Sequence, residues 1–239
     1  MIYNIHMSNH LLYQKLNVPM LDLIQQEALD YIQHHSEIRT ENLVEEEYFN
    51  LSIDNFPILK SFLVPRVNTR ITEIGLVAVP PGFETTKHID GLRKDEDNKF
   101  YNRIKETVIN HPDFDKLDIS VDIVPPIATQ YVMMVPIVNY EQTISHWYDN
   151  NDVSDDNEII RNFTRELYPY SFFISFVKPE AILTPVGSTN IDCITFIKTS
   201  IFHNVINQGS KTRLAFAIRF AENRYYESLE EIFKHQDLL

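Results

Sequence analysis

The sequence predicts a mainly β protein with flanking α-helices, built as a jelly-roll barrel with helices covering one sheet. Three observations lead there. Six β-rich segments follow residue 70, Pro and Gly corners separate them, and residues 1–69 read as an N-terminal helical layer. With 239 residues, 44% of them hydrophobic and 12% aromatic, the chain can bury a sizeable core. It has 5 glycines, no Ser/Gly- or Pro-rich linker and no repeat of fixed period, so one domain is expected over 1–239. The expected parts are the helical layer (1–69), the barrel (70–222) and a C-terminal helix (223–239).

Taken in order, residues 19–35 place Leu21, Ile24, Ala28 and Ile32 at helical spacing, which predicts the first packing helix. "ITEIGLVAVP" (71–80) is the first strand and ends on a Pro80-Pro81-Gly82 corner. "NKFYNRIKETVIN" (98–110) and "NEIIRNFTREL" (157–167) read as two more helices. Strands are expected at 129–140, 171–179, 192–198, 202–207 and 212–220, each rich in β-branched and aromatic residues. The acidic stretch "YDNNDVSDDNE" (148–158) lacks EF-hand spacing and glycine, so a solvated loop is expected there.

Charge and cysteine content narrow the function classes. With 21 basic against 34 acidic residues the net charge is −13, which repels phosphate backbones and anionic membrane surfaces, so nucleic acid is not expected as a partner. No apolar run approaches the roughly 18 residues of a membrane span, and the first residues lack the pattern of an export signal. The single cysteine, Cys193, excludes an internal disulfide and is expected to be core packing. A cytoplasmic setting is expected.

Chemistry concentrates in one of three His-x-Asp triplets. By composition alone, 9 histidines and 34 acidic residues give roughly one His-x-Asp/Glu. His111-Pro112-Asp113 has proline at its centre, and His235-Gln236-Asp237 has no histidine downstream to complete a site. His88-Ile89-Asp90 follows a strand and its corner in an extended piece. Residues i and i+2 of a strand share a face, so this triplet aims an imidazole and a carboxylate into one volume. His203, on the β-rich segment "FHNVIN", is the expected second imidazole, and Arg213 follows on the next strand. A hairpin loop of odd length, with Gly209 in the left-handed position, is expected to bring His203 and Arg213 to one face. Two histidines and one carboxylate suit a non-haem Fe(II) centre with open positions, and zinc also fits this donor set.

The series His88-x-Asp90, His203 and, ten residues later, Arg213 resembles the Fe(II)/2-oxoglutarate-dependent oxygenases over roughly residues 70–220. The resemblance implies a double-stranded β-helix (jelly-roll, cupin-like) barrel, Fe(II) held by His88, Asp90 and His203, 2-oxoglutarate held through its distal carboxylate by Arg213, and O2 as the other co-substrate. The segment "FHNVINQGSKTR" is most similar to the aspartyl/asparaginyl β-hydroxylase branch. That likeness implies hydroxylation of an amino-acid side chain, free or in a polypeptide. Two departures stand out. Asp90 occupies a position that is glycine in the aspartyl/asparaginyl hydroxylase proper, and Ala215 stands where many members carry a serine or threonine against 2-oxoglutarate.

Further candidates surround this set. "YVMMVPIVNY" is expected to line the barrel with Tyr131 and Met133 beside the co-substrate, Tyr131 substituting for the missing hydroxyl. His146, Trp147 and Arg219 are candidates for the substrate side. Two other classes share these residues: a non-catalytic jelly-roll binding or assembly protein, and a cupin metalloenzyme that does not use 2-oxoglutarate.

Overall fold

The computed structural model describes residues 12–68, 71–90, 131–154, 156–164 and 171–220. In chain order these form β1 (Tyr13–Leu16), α1 (Leu21–His34), β2 (Glu47–Leu51), α2 (Pro57–Leu63), β3 (Ile71–Val79), β4 (His88–Ile89), β5 (Tyr131–Val138), β6 (Thr143–Tyr148), β7 (Glu158–Thr164), β8 (Ser171–Val177), β9 (Pro185–Asn190), β10 (Ile194–Lys198), β11 (His203–Asn207) and β12 (Arg213–Phe220). The strands make two six-stranded antiparallel sheets, ordered β1-β10-β5-β12-β3-β2 and β7-β8-β4-β11-β6-β9. β10, β5, β12 and β3 form the first sheet of a jelly roll, and β4, β11, β6 and β9 form the second. β1 and β2 extend the first sheet at its two edges, while the β7-β8 pair extends the second beside β4.

The two faces of the first sheet do different work. Leu214, Phe216, Ile218 and Phe220 of β12 join Ile74, Leu76, Met133, Val135 and Phe196 in a core with Ile24 and Ala28 of α1 and Leu59, Phe62 and Leu63 of α2. The opposite face presents Val77, Val79, Val132, Met134, Ile197, Ala215 and Ala217, which cluster with Trp147 of the second sheet. That second cluster is the space between the sheets. α2 starts on Pro57, and Glu27 of α1 accepts from the Ile58 and Leu59 amides at 2.6 and 3.0 Å. A carboxylate on the free amides of a helix start satisfies donors that the helix itself cannot, which locks the two helices together.

The expected jelly roll with helices on one sheet is what the chain forms, with α1 matching the predicted first helix. Two expectations differ. Of the helix expected at 157–167, the described part is a strand: β7 pairs with β8 over seven registered positions, from Glu158–Val177 to Thr164–Ser171, and 165–167 lie outside the described residues. Ile159, Ile160 and Phe163 fit a helical stripe as well as a strand, and only the non-local partner decides. The N-terminal layer also contributes β1 and β2 to the first sheet besides its helices. The helices expected at 98–110 and 223–239 lie outside the described residues. No described helix is long and apolar enough to cross a membrane.

Phe216 is fully buried with its ring 4.7 Å from that of Phe56, so it couples the sheet to the helical layer. Phe216→Ala is expected to lower unfolding free energy by about 3–5 kcal/mol, read from urea denaturation midpoints.

Candidate metal centre

β4 is two residues long and sits between two longer strands, with His88 directly opposite His203 of β11 on one side and Phe176 of β8 on the other. Opposed residues of paired strands share a face, so register alone brings the two imidazoles together. Their centroids are 4.5 Å apart. Asp90 returns to the same side two residues on, its amide donating to the Thr199 carbonyl at 3.1 Å, and its Oδ1 lies 3.7 Å from His88 Nε2. One ligand atom from each of His88, Asp90 and His203 lies within 4.8 Å of the others.

Both histidines are held in the same way. His88 Nδ1 lies 2.8 Å from the Thr86 carbonyl and His203 Nδ1 lies 2.9 Å from the Ile201 carbonyl, each two residues back. A carbonyl can only accept, so each Nδ1 carries a proton, and in the neutral imidazole Nε2 then keeps its lone pair. Imidazoles fixed in this tautomer are ready to ligate a cation. Burial, followed by the neighbouring His88, lowers the pKa of His203 to about 4 against the pull of Asp90. His203 is therefore neutral at physiological pH.

Arg219, expected on the substrate side, donates from Nη2 to Asp90 Oδ2 at 2.8 Å. It engages Oδ2, whereas His88 Nε2 lies against Oδ1. The guanidinium also lies over the Tyr48 ring, 5.9 Å from its centroid.

Arg213 opens β12, paired with Val79 of β3. Its side chain is completely buried, and Nε, Nη1 and Nη2 have no acceptor among the described residues. Burial lowers its pKa to about 10, with Glu46 opposing, so the group is still a cation at neutral pH. A buried fork of unused donors carries a desolvation cost that a bidentate carboxylate would offset.

Arg213 and His203 each stand on the inward-facing register of their strand, but not through the expected hairpin. β11 and β12 lie in different sheets, and 208–212 crosses between them. Gly209 does not adopt positive φ, whereas Gly82, at the Pro-Pro-Gly corner, has φ 70°. The crossing is fixed by Asn207, whose amide nitrogen donates to the carbonyls of Val79, Pro80 and Lys211 at 2.9, 3.2 and 2.9 Å while its oxygen accepts from the Gly209 amide at 3.0 Å.

Sequence reasoning missed Glu46. Burial raises its carboxyl pKa, while His88 and then Arg213 pull it down and Asp90 pushes it up. One carboxyl is thus influenced by His88, Asp90 and Arg213. Glu46 sits in the run Glu45-Glu46-Glu47, which reads as solvated surface; it immediately precedes β2, two residues before Tyr48.

Tyr131 and Met133 are not beside the space between the sheets. Met133 pairs with Ile218, and both Met133 and Tyr131 lie in the core shared with the helices; it is Val132 and Met134, the latter opposite Ala217, that face inward. β5 is buried on both faces for nearly its whole length, so apolar alternation gave no sign of which face was which. The expected Tyr131 hydroxyl contact is corrected on the same ground. Trp147 does face inward, opposite His203, and its Nε1 donates to the Lys198 carbonyl at 2.8 Å. His146 is its neighbour and points to the other face, where it pairs with Asn204.

No family model matches the chain, and no curated protein matches it. Among solved structures, it is similar to the non-heme alpha ketoglutarate dependent carbocyclase SnoK from nogalamycin biosynthesis, with 14% identity, TM-score 0.43, and coverage of 87% of this chain and 79% of that one. It is also similar to the oxalate decarboxylase of Lactobacillus farciminis (8% identity, TM-score 0.28, covering 77% of this chain and 31% of that one). The Bacillus subtilis oxalate decarboxylase gives 9% identity and TM-score 0.28, covering 76% and 27%. At such values the strand order and the side-chain geometry remain the grounds for fold and site.

Two outcomes are expected from this geometry. Arg219→Met frees Asp90 to rotate and is expected to weaken divalent-metal affinity about 10–100-fold, measured by equilibrium titration with Fe(II) or Co(II). His203 titrates in the folded chain near 4 against an ordinary 6.5, so its stabilising contribution is complete above 6.5 and lost as pH falls toward 4. Denaturation midpoints of the metal-free protein are expected to drop across that window, with a shallower slope in His203→Gln.

Proposed function

We propose that the chain is an Fe(II)- and 2-oxoglutarate-dependent dioxygenase that hydroxylates an amino-acid side chain, free or in a polypeptide. The observation that carries this reading is Arg213: a fully buried guanidinium, with three nitrogens lacking an acceptor among the described residues, facing the same interior as a His-Asp-His cluster. The residues fit the groups. Two Nε2 lone pairs and one carboxylate oxygen are the donors of a three-ligand iron face, and the fork of Arg213 matches the distal carboxylate of a keto diacid.

In this reading His88, Asp90 and His203 hold Fe(II), and Arg213 binds and orients 2-oxoglutarate. When bound, these groups supply the oxidative chemistry, coupling decarboxylation of the keto acid to insertion of one oxygen atom into a substrate C–H bond. The chain contributes positioning and exclusion of water. Arg219 fixes which Asp90 oxygen faces the histidines. Val77, Val79, Val132, Met134 and Ile197 keep the interior dry, while Ala215 and Ala217 keep β12 low where the keto acid would lie between Arg213 and the cluster.

Anaerobic titration with Fe(II) and 2-oxoglutarate tests this. The wild type is expected to develop the weak visible charge-transfer band of an iron-keto acid chelate. Arg213→Ala is expected to raise the 2-oxoglutarate concentration needed by about 100-fold or more, since the lost pair is buried and charge-assisted. No band in the wild type would sink the oxygenase reading, and an unaltered titration in the variant would remove Arg213 from it.

A further inference from the structure

Glu46 is placed by strand register. Glu47 pairs with Ala78, which faces the helices, so the residue before it alternates to the interior face, the face that also carries Tyr48. Glu46 immediately precedes Glu47, the partner of Ala78, and the next residue of β3, Val79, pairs with Arg213, so β2 and β12 flank β3 at this end. Strand spacing sets the backbones of the outer two about 10 Å apart, within reach of two long side chains directed into one space. As a residue Glu46 is exposed, yet desolvation is the main influence on its carboxyl. Burial raises its carboxyl pKa, so the charged form is disfavoured there unless a cation compensates it. No hydrogen bond or ion pair reaches it among the described residues.

The charges around it are assigned elsewhere. Arg219 is bonded to Asp90, and the histidines are neutral when they ligate. Once Arg213 receives the keto acid carboxylate, no cation of the described interior is left for Glu46. A carboxylate surrounded by protein without a counter-ion is unfavourable, and a ligand that brings a positive group removes the penalty. The net charge of −13 draws such ligands toward the chain at long range.

We propose that Glu46 selects the substrate by receiving a cationic group, an ammonium or guanidinium, so that the side chain hydroxylated belongs to a basic amino acid. This rests on the oxygenase reading and adds to it the class of substrate. Glu46 would bind the cation and take no part in the oxidation.

The test measures succinate formation by the Fe(II)-loaded full chain with 2-oxoglutarate and O2. The probes are L-arginine, L-lysine and N-acetylated, C-amidated Gly-Arg-Gly and Gly-Lys-Gly, each against its citrulline or norleucine counterpart. At least one cationic probe is expected to exceed its uncharged partner by about 30-fold or more in kcat/KM, the value of a desolvated charge contact. In Glu46→Gln that ratio is expected to fall toward one, while Glu45→Gln, which removes the same charge one residue away, preserves it. Equal use of uncharged probes, no stimulation by any cationic probe, or the same loss in Glu45→Gln would overturn the assignment. If the chelate band forms normally, such a failure falls on Glu46 alone; if the band itself is absent, the oxygenase reading falls first.

Discussion

The site depends on the pairing of one very short strand. β4 has two residues and, among the described residues, pairs with β11 and β8, so register sets His88 directly opposite His203. The same arrangement fixes the tautomers, since each imidazole leans back on a carbonyl two residues earlier and the two Nε2 atoms are left pointing into common space. Asp90 follows immediately and is tied from its backbone to Thr199 and from its side chain to Arg219. A slip of one residue at β4 would send His88 and Asp90 to the outer face together.

Buried charge is the second constraint, and the interior handles each case differently. Arg219 and Asp90 neutralise one another at 2.8 Å, which makes their burial tolerable and the carboxylate rigid. Arg213 has donors and no acceptor among the described residues, an arrangement that costs stability and is maintained by the packing around β12 and the Asn207 clamp. Such strain on the unliganded state is what a binding site needs if an anion is to be held by direct contact and not through water. The stability that supports it comes from the other face of the same strand, where Leu214, Phe216, Ile218 and Phe220 pack on the helices.

Much of this could be read from the sequence, and the failures share one cause. The His88-Asp90 pair was legible because period-two geometry is local: the two must share a face on any extended piece. The jelly roll was legible because Val-, Ile- and Phe-rich runs such as 171–177 and 213–220 are short and end on turn residues. What depended on a non-local partner was not. β7 could not be told from a helix before β8 claimed it, β9 is an exposed strand with burial too weak to leave an apolar pattern, and β5 hid its inward face because both faces are buried. His203 and Arg213 were expected on one face of a hairpin, but β11 and β12 lie in different sheets. The hairpin argument rested on a connection that does not exist, which shows how little parity alone tests a topology.

The edge strand β2 shows how additions to a barrel can serve the site. It lies outside the eight strands of the jelly roll, yet Tyr48 of β2 lies across Gly75 of β3, where any Cβ would fall 1.9 Å from a ring carbon. From there its hydroxyl donates to Glu73 at 2.5 Å and its ring supports Arg219. Arg219 in turn holds Asp90. Glu46 immediately precedes the same strand, and Arg213 acts on its carboxyl. β2 thus supports Arg219 through Tyr48 and carries Glu46 at its start. Among the described residues β2 pairs with β3 alone, outside the eight strands of the jelly roll. In the proposed reading the interior of the eight strands supplies the cluster and the guanidinium, while the strand laid along its edge selects what enters.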